Sequence, residues 1–248
     1  MTTVALVTGG TRGLGRAVVE ALATQGAAVL LAGRSADAVC HEVAALRANG
    51  LDVTGVTLDV DDPASVRAAA AEVAHRFDHL DILVNNAGIL PEAGADPTRH
   101  GPRFADPRVL EQTFRTNVFG PVAVIEEFLP LLERSAGARI VNVSSTMGSL
   151  TDQQDPDSPW FGMVLPAYQA SKAALNGITV ALAKRLAGTP TVVTSVRPGW
   201  VRTDLAPGNR DHAPTSADDA AKVVLRAATL PAGAPSGTFL AEHGVVPW

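Results

Sequence analysis

The chain has 248 residues, 46% of them apolar, and a formal charge of −5. That length and apolar content suffice for one large α/β core, while the negative charge argues against general affinity for nucleic acid or an anionic membrane surface. A single cysteine, Cys40, rules out an internal disulfide, and no apolar run approaches the length of a membrane-spanning helix.

In chain order, Val4-Ala5-Leu6-Val7 is short and apolar, as expected of a strand buried on both faces. Thr8-Gly9-Gly10-Thr11-Arg12-Gly13-Leu14-Gly15 follows at once, and Arg16 to Gln25 carries Val18, Val19 and Leu22 at helical spacing, with Gly26 placed to end a helix. Strand, glycine-rich turn and helix form a dinucleotide-binding opening. Glycines let the backbone approach a pyrophosphate, and the helix N-terminus offers free amides and the positive end of its dipole. The glycines at 9, 13 and 15 read as TGxxxGxG and do not fit GxGxxG.

The second strand, Val29 to Ala32, runs into Gly33-Arg34 with no acid until Asp37. A carboxylate at this point would accept the ribose hydroxyls of NAD and repel a 2′-phosphate. Arg34, with Arg12 from the glycine loop, instead suits a 2′-phosphate, so NADP(H) is the expected cofactor. In this second helical stretch Cys40 is expected to be a small buried side chain. A third strand covers Val53 to Thr57, and Asp59 is a candidate cap for the helix near Asp62 and Pro63. Further apolar runs fall near residues 82, 139, 192 and 237. Strands alternating with helices predict one doubly wound parallel sheet, Rossmann-like, with helices on both faces and residues 1–248 in a single domain.

Tyr168 is the chain's only tyrosine, and Lys172, one of just three lysines, lies four residues on. On a helix this spacing places phenol and ammonium on one face. A cation there favours the phenolate and is expected to bring the phenol down from about 10 toward neutral pH, where it serves as an acid or base. The six histidines, at 41, 75, 79, 100, 212 and 243, show one paired spacing, His75 and His79, with no acidic cluster beside it, so no metal site is expected.

TGxxxGxG with a downstream YxxxK resembles the short-chain dehydrogenase/reductase family. Asn85-Asn86-Ala87-Gly88 after Ile82-Leu83-Val84, Ser144-Ser145 after Ile140 to Val143, and Pro198-Gly199-Trp200-Val201-Arg202-Thr203-Asp204 after Val192 to Val196 agree in order. The last segment, and a tail through Gly237-Thr238-Phe239-Leu240 to Trp248, look most like the carbonyl reductase branch. The resemblance implies an NADPH-dependent reductase of a ketone or aldehyde, or in reverse an alcohol dehydrogenase, while the single cysteine and the absence of a long apolar stretch make a soluble cytoplasmic protein the expectation. Its partner would be a small carbonyl or alcohol, and monomer and homo-oligomer both stay open. The alternative is a nicotinamide-binding sensor or scaffold without turnover.

By the same resemblance Tyr168 is the general acid, Lys172 lowers its pKa and holds the nicotinamide ribose, and Ser145 donates to the carbonyl oxygen. Asn117 supports a water path to the lysine. Gly9, Thr11, Arg12, Gly13, Leu14, Gly15 and Arg34 would hold the phosphates, Asp59 and Val60 the adenine, Asn86 the ribose, and Val201 and Thr203 the nicotinamide amide. Ser145 is taken over Ser144 because the family pattern places the catalytic hydroxyl there; neighbours on an extended strand face opposite ways, so both cannot serve. Residues 146–167, longer than in many family members, and 204–215, rich in proline and glycine, are candidate substrate loops, the first equally readable as a cap over helix surfaces that in relatives form an oligomer interface.

Overall fold

A computed structural model describes residues 2–94 and 104–248. Strand β1 (Val4–Thr8) leads into helix α1 (Gly13–Thr24), then β2 (Ala28–Gly33), α2 (Ala36–Ala48), β3 (Val53–Thr57), α3 (Pro63–Arg76) and β4 (Ile82–Asn85). Helix α4 (Pro107–Phe114) continues through a π-helical stretch, Arg115–Phe119, into α5 (Gly120–Leu132). The remainder is β5 (Arg139–Val143), α6 (Leu150–Gln154), α7 (Pro166–Arg185), β6 (Val192–Val196), α8 (Asn209–His212), α9 (Ala217–Ala228), β7 (Thr238–Ala241) and β8 (Gly244–Val245).

The eight strands form one sheet in the order β3-β2-β1-β4-β5-β6-β7-β8, parallel except for the antiparallel β8. Alternation along each strand divides its side chains between two apolar layers. Ala5, Val7, Val29 and Leu31 pack with α1, α2 and α9, whereas Val4, Leu6, Leu30 and Ala32 pack with α3 and α5. Strand order reverses between β1 and β4, which leaves a crevice above their C-terminal ends.

The first three strands lie within a residue of their expected positions. Helix α1 begins three residues earlier than the apolar spacing suggests, because Gly13 to Gly15 form its first turn. Segments read as loops contain α6 and α8, and β8 had no counterpart in the sequence pattern. Two expectations are corrected. Asp59 does not cap α3: Asp62 does so, accepting from the Ala64 amide at 2.9 Å, while Asp59 accepts from the Asp61 amide at 3.0 Å. Cys40 is exposed. The buried stripe of α2 is Val39, Val43 and Leu46, and one residue on from Val39 the helix has turned about 100° toward solvent.

Candidate active site

The C-terminal ends of β1, β2, β4, β5 and β6 open into a cavity of about 1070 Å³. Its floor begins at the glycine loop, where Gly9 and Gly13 have φ of +65° and +53°, a region that side chains rarely occupy. A Cβ on Gly15 would lie 2.2 Å from the Gly9 carbonyl oxygen, so glycine is what lets the loop fold onto the start of α1. Helix α1 has no side-chain cap and no acid in its first turn. Its free amides and positive dipole end therefore face the crevice, an arrangement that fits a dinucleotide pyrophosphate.

Arg12 and Arg34 line this end of the cavity, both exposed and neither in an ion pair among the described residues. Thr11, Leu14, Asp59 and Val60 also line it. Asp37, the first acid after the second strand, lies on the same wall, as does Ser35, whose hydroxyl accepts from the Ala38 amide to cap α2. Asn86 stands beneath the loop, and its side-chain amide donates to the carbonyls of Thr8 at 2.9 Å and Gly9 at 3.2 Å. Thr203 approaches from the far side, its methyl 3.1 Å from where a Gly13 Cβ would be, and Val201 is buried beside it.

The other end of the cavity is built on α7. Tyr168 and Lys172 are 6% and 5% exposed, one helical turn apart, and the lysine Nζ stands 5.7 Å from the phenol ring centroid. That Nζ donates to the Val143 carbonyl at 2.8 Å, which ties α7 to the end of β5. A Cβ on Gly148 would lie 2.8 Å from the Lys172 carbonyl carbon, so the turn after Ser145 packs directly on the helix backbone. Ser145 is half-buried at the cavity wall, whereas the Ser144 hydroxyl is buried and reaches the Lys172 carbonyl at 3.5 Å.

The electrostatics of the pair reverse the sequence expectation. Burial pushes the Tyr168 phenol up to about 12, and the Ser145 hydroxyl, which favours the phenolate, offsets this only in part. Burial also pushes the Lys172 ammonium down to about 8. The phenolate loses water in the apolar wall of Leu90, Met147, Trp160 and Leu165 around the ring, the ammonium loses it through its own burial, and desolvation is the leading cause for both.

Asn117 does not line the cavity. It is fully buried in the π-helical stretch, where its Oδ1 accepts from the Ile89 amide at 2.9 Å and its Nδ2 donates to the Ile89 carbonyl at 3.0 Å and to Ser171 Oγ at 3.1 Å. A π-helical residue inside an α-helical run is a recurrent mark of functional sites.

The first candidate loop meets the turn that leads into the second over the tyrosine end. Trp160 and Trp200 pack edge to face, with centroids 6.0 Å apart and planes at 90°. Trp200 Nε1 donates to Asn209 Oδ1 at 2.9 Å, and the feet of the 204–215 segment are joined where the Arg202 amide donates to the Thr215 carbonyl. The 146–167 segment is anchored by an Arg197 to Asp152 ion pair and by Thr151, whose amide and hydroxyl donate to the Trp248 carbonyl at 3.0 and 2.8 Å. Among the described residues no group of three His, Cys, Asp or Glu could hold a metal ion, and His100 lies outside them. No described helix is long and apolar enough to cross a membrane.

Comparison with known proteins bears on this geometry. A short-chain dehydrogenase of Penicillium roqueforti is 35% identical over 240 residues, covering 94% of this chain and 90% of its own. Among solved structures, the NADPH-bound carbonyl reductase from chicken fatty liver matches with a TM-score of 0.84 and 28% identity, over 100% of this chain and 99% of that one. Carbonyl reductase Sniffer of D. melanogaster matches with a TM-score of 0.84 and 27% identity, over 100% of both chains. The short chain dehydrogenase family itself matches residues 3–214. From its glycine loop to its buried tyrosine and lysine, the chain belongs to the short-chain dehydrogenase family.

Proposed function

We propose that the protein is an NADPH-dependent carbonyl reductase, reducing a ketone or aldehyde to an alcohol. The observation that carries this reading is the position of the sole tyrosine. Its ring is buried beside Lys172 and Ser145 in a cavity that continues to the free N-terminus of α1.

When bound, the nicotinamide supplies a hydride to the carbonyl carbon. The chain's own residues manage the oxygen and its proton. Tyr168, held protonated by burial, donates its proton as negative charge develops on that oxygen, so C=O becomes CH–OH and the phenolate regains a proton from solvent. Ser145 donates a hydrogen bond to the same oxygen. Lys172 compensates the transient phenolate from one turn away, and in the family's arrangement it also holds the nicotinamide ribose.

The choice of NADPH rests on Arg12 and Arg34, exposed at the adenosine end, and on the absence of an acid at the end of β2. The similar carbonyl reductase from chicken fatty liver binds the same cofactor in its crystal structure. Residues 146–167 and 204–215 act as substrate loops, linked through Trp200 of the turn before the second, which packs on Trp160 and donates to Asn209. The test is NADPH oxidation against a panel of ketones and aldehydes, with Tyr168→Phe as control. Cofactor binding with no carbonyl reduced would leave a nicotinamide-binding protein without turnover.

A further inference from the structure

Helix α7 begins without a local cap. Its N-cap residue is Leu165, which has no side-chain acceptor, and Pro166 at the first position has no N–H to satisfy. The Gln169 amide closes the first helical bond to the Leu165 carbonyl at 2.8 Å. Two amides of the first turn remain, those of Ala167 and Tyr168. Both donate to one carboxylate from elsewhere in the chain: Glu92 Oε1 accepts from Ala167 at 3.0 Å and Oε2 from Tyr168 at 2.8 Å. Glu92 sits on the 3-10 turn Pro91–Gly94, just beyond Ile89, whose amide and carbonyl are both bound by the Asn117 side chain.

The structure assigns Glu92 as a positioning residue that clamps the first turn of α7, and so fixes where the Tyr168 phenol stands, with Asn117 holding the segment that carries it. A carboxylate suits the place for two reasons. It accepts two bonds at once, and its charge complements the positive end of a 20-residue helix. The clamp acts on the tyrosine more than on the lysine, since Lys172 is a turn further on and has its own tie to Val143. A neutral amide of the same shape accepts only one of the two bonds and turns an NH₂ group toward the other N–H. This role rests on the reductase reading for its kinetic consequence but not for its structural one.

The experiment compares the full-length protein with Glu92→Gln and with Gln169→Ala, which removes the side-chain bonds from the Leu165 amide at 3.1 Å and to the Met163 carbonyl at 3.0 Å without touching the clamp. Glu92→Gln is expected to lower kcat about tenfold with NADPH affinity unchanged, and to speed hydrogen exchange at the Ala167 and Tyr168 amides about tenfold. Gln169→Ala is expected to keep kcat. Wild-type kcat in Glu92→Gln, or an equal fall in both variants, would overturn the assignment. If Glu92→Gln does not fold, Glu92→Asp decides, because its shorter carboxylate reaches one amide only. A smaller fall in kcat supports the clamp, and wild-type kcat with wild-type exchange overturns it. If the unaltered protein reduces no carbonyl, the reductase reading fails, while amide exchange still reports whether Glu92 holds the turn.

Discussion

The indoles of Trp160 and Trp200 join two segments that are separate in sequence, meeting at a right angle with 6.0 Å between centroids. Each comes from a loop attached to the candidate chemistry, the first leading from Ser145 to Tyr168 and the second from the turn that carries Val201 and Thr203. Edge-to-face aromatic pairs contribute about 0.5–1.5 kcal/mol beyond burial. Trp160→Ala is therefore expected to raise KM for the carbonyl substrate several-fold while leaving NADPH affinity alone. Unchanged kinetic constants across a substrate panel would remove the loop from the substrate site.

Replacing Tyr168 by phenylalanine removes the proton donor and keeps the ring that packs against Leu165 and Met147. We expect kcat to fall by about 10²–10⁴, the usual contribution of a positioned acid, with NADPH binding retained. Nicotinamide fluorescence measures that binding directly.

The buried pair also makes stability depend on pH in a defined way. Between about 8 and the ordinary lysine value of 10.5, Lys172 is neutral when folded and protonated when unfolded. The unfolded chain then binds more protons, so stability rises with pH through this window. Between the ordinary tyrosine value of 10.0 and about 12, Tyr168 keeps its proton when folded and loses it when unfolded, so stability falls. Each limb is about 3 kcal/mol. Denaturant unfolding from neutral to strongly alkaline pH should show a rise and then a fall, and the Tyr168→Phe variant should lack the falling limb.

Arg12 and Arg34 make the cofactor preference a matter of charge. Each charge-assisted bond to a 2′-phosphate is worth about 1.5–3 kcal/mol before desolvation. Arg34→Ala should weaken NADPH by roughly tenfold and leave NADH nearly unaffected. Equal losses for the two cofactors, or a preference for NADH in the unaltered protein, would reject the role of these arginines.

Much of the architecture is readable along the chain because its causes are local. Val4 to Val7 and Val192 to Val196 are apolar runs of strand length, Asp62-Pro63 and Ser216 are helix starts with their own caps, and Gly9 and Gly13 mark a backbone that needs positive φ. The spacing of Tyr168 and Lys172 shows a shared helix face by the same logic. The cap of α7 is absent from its own neighbourhood, and Leu165-Pro166 at a helix start is the one local sign that an acceptor must come from a distance.

The sequence by itself determined the seven parallel strands alternating with helices, the glycine cradle and the pairing of a phenol with an ammonium, since each depends on residues within a turn or a strand of one another. Only the tertiary structure decided that Glu92 caps the helix of Tyr168, that Trp160 meets Trp200, and that burial holds the phenol protonated up to about 12. Hydrogen bonds, aromatic contacts and desolvation depend on which groups share a volume. Residues 75 or 40 positions apart come to share one only when the sheet has closed around them.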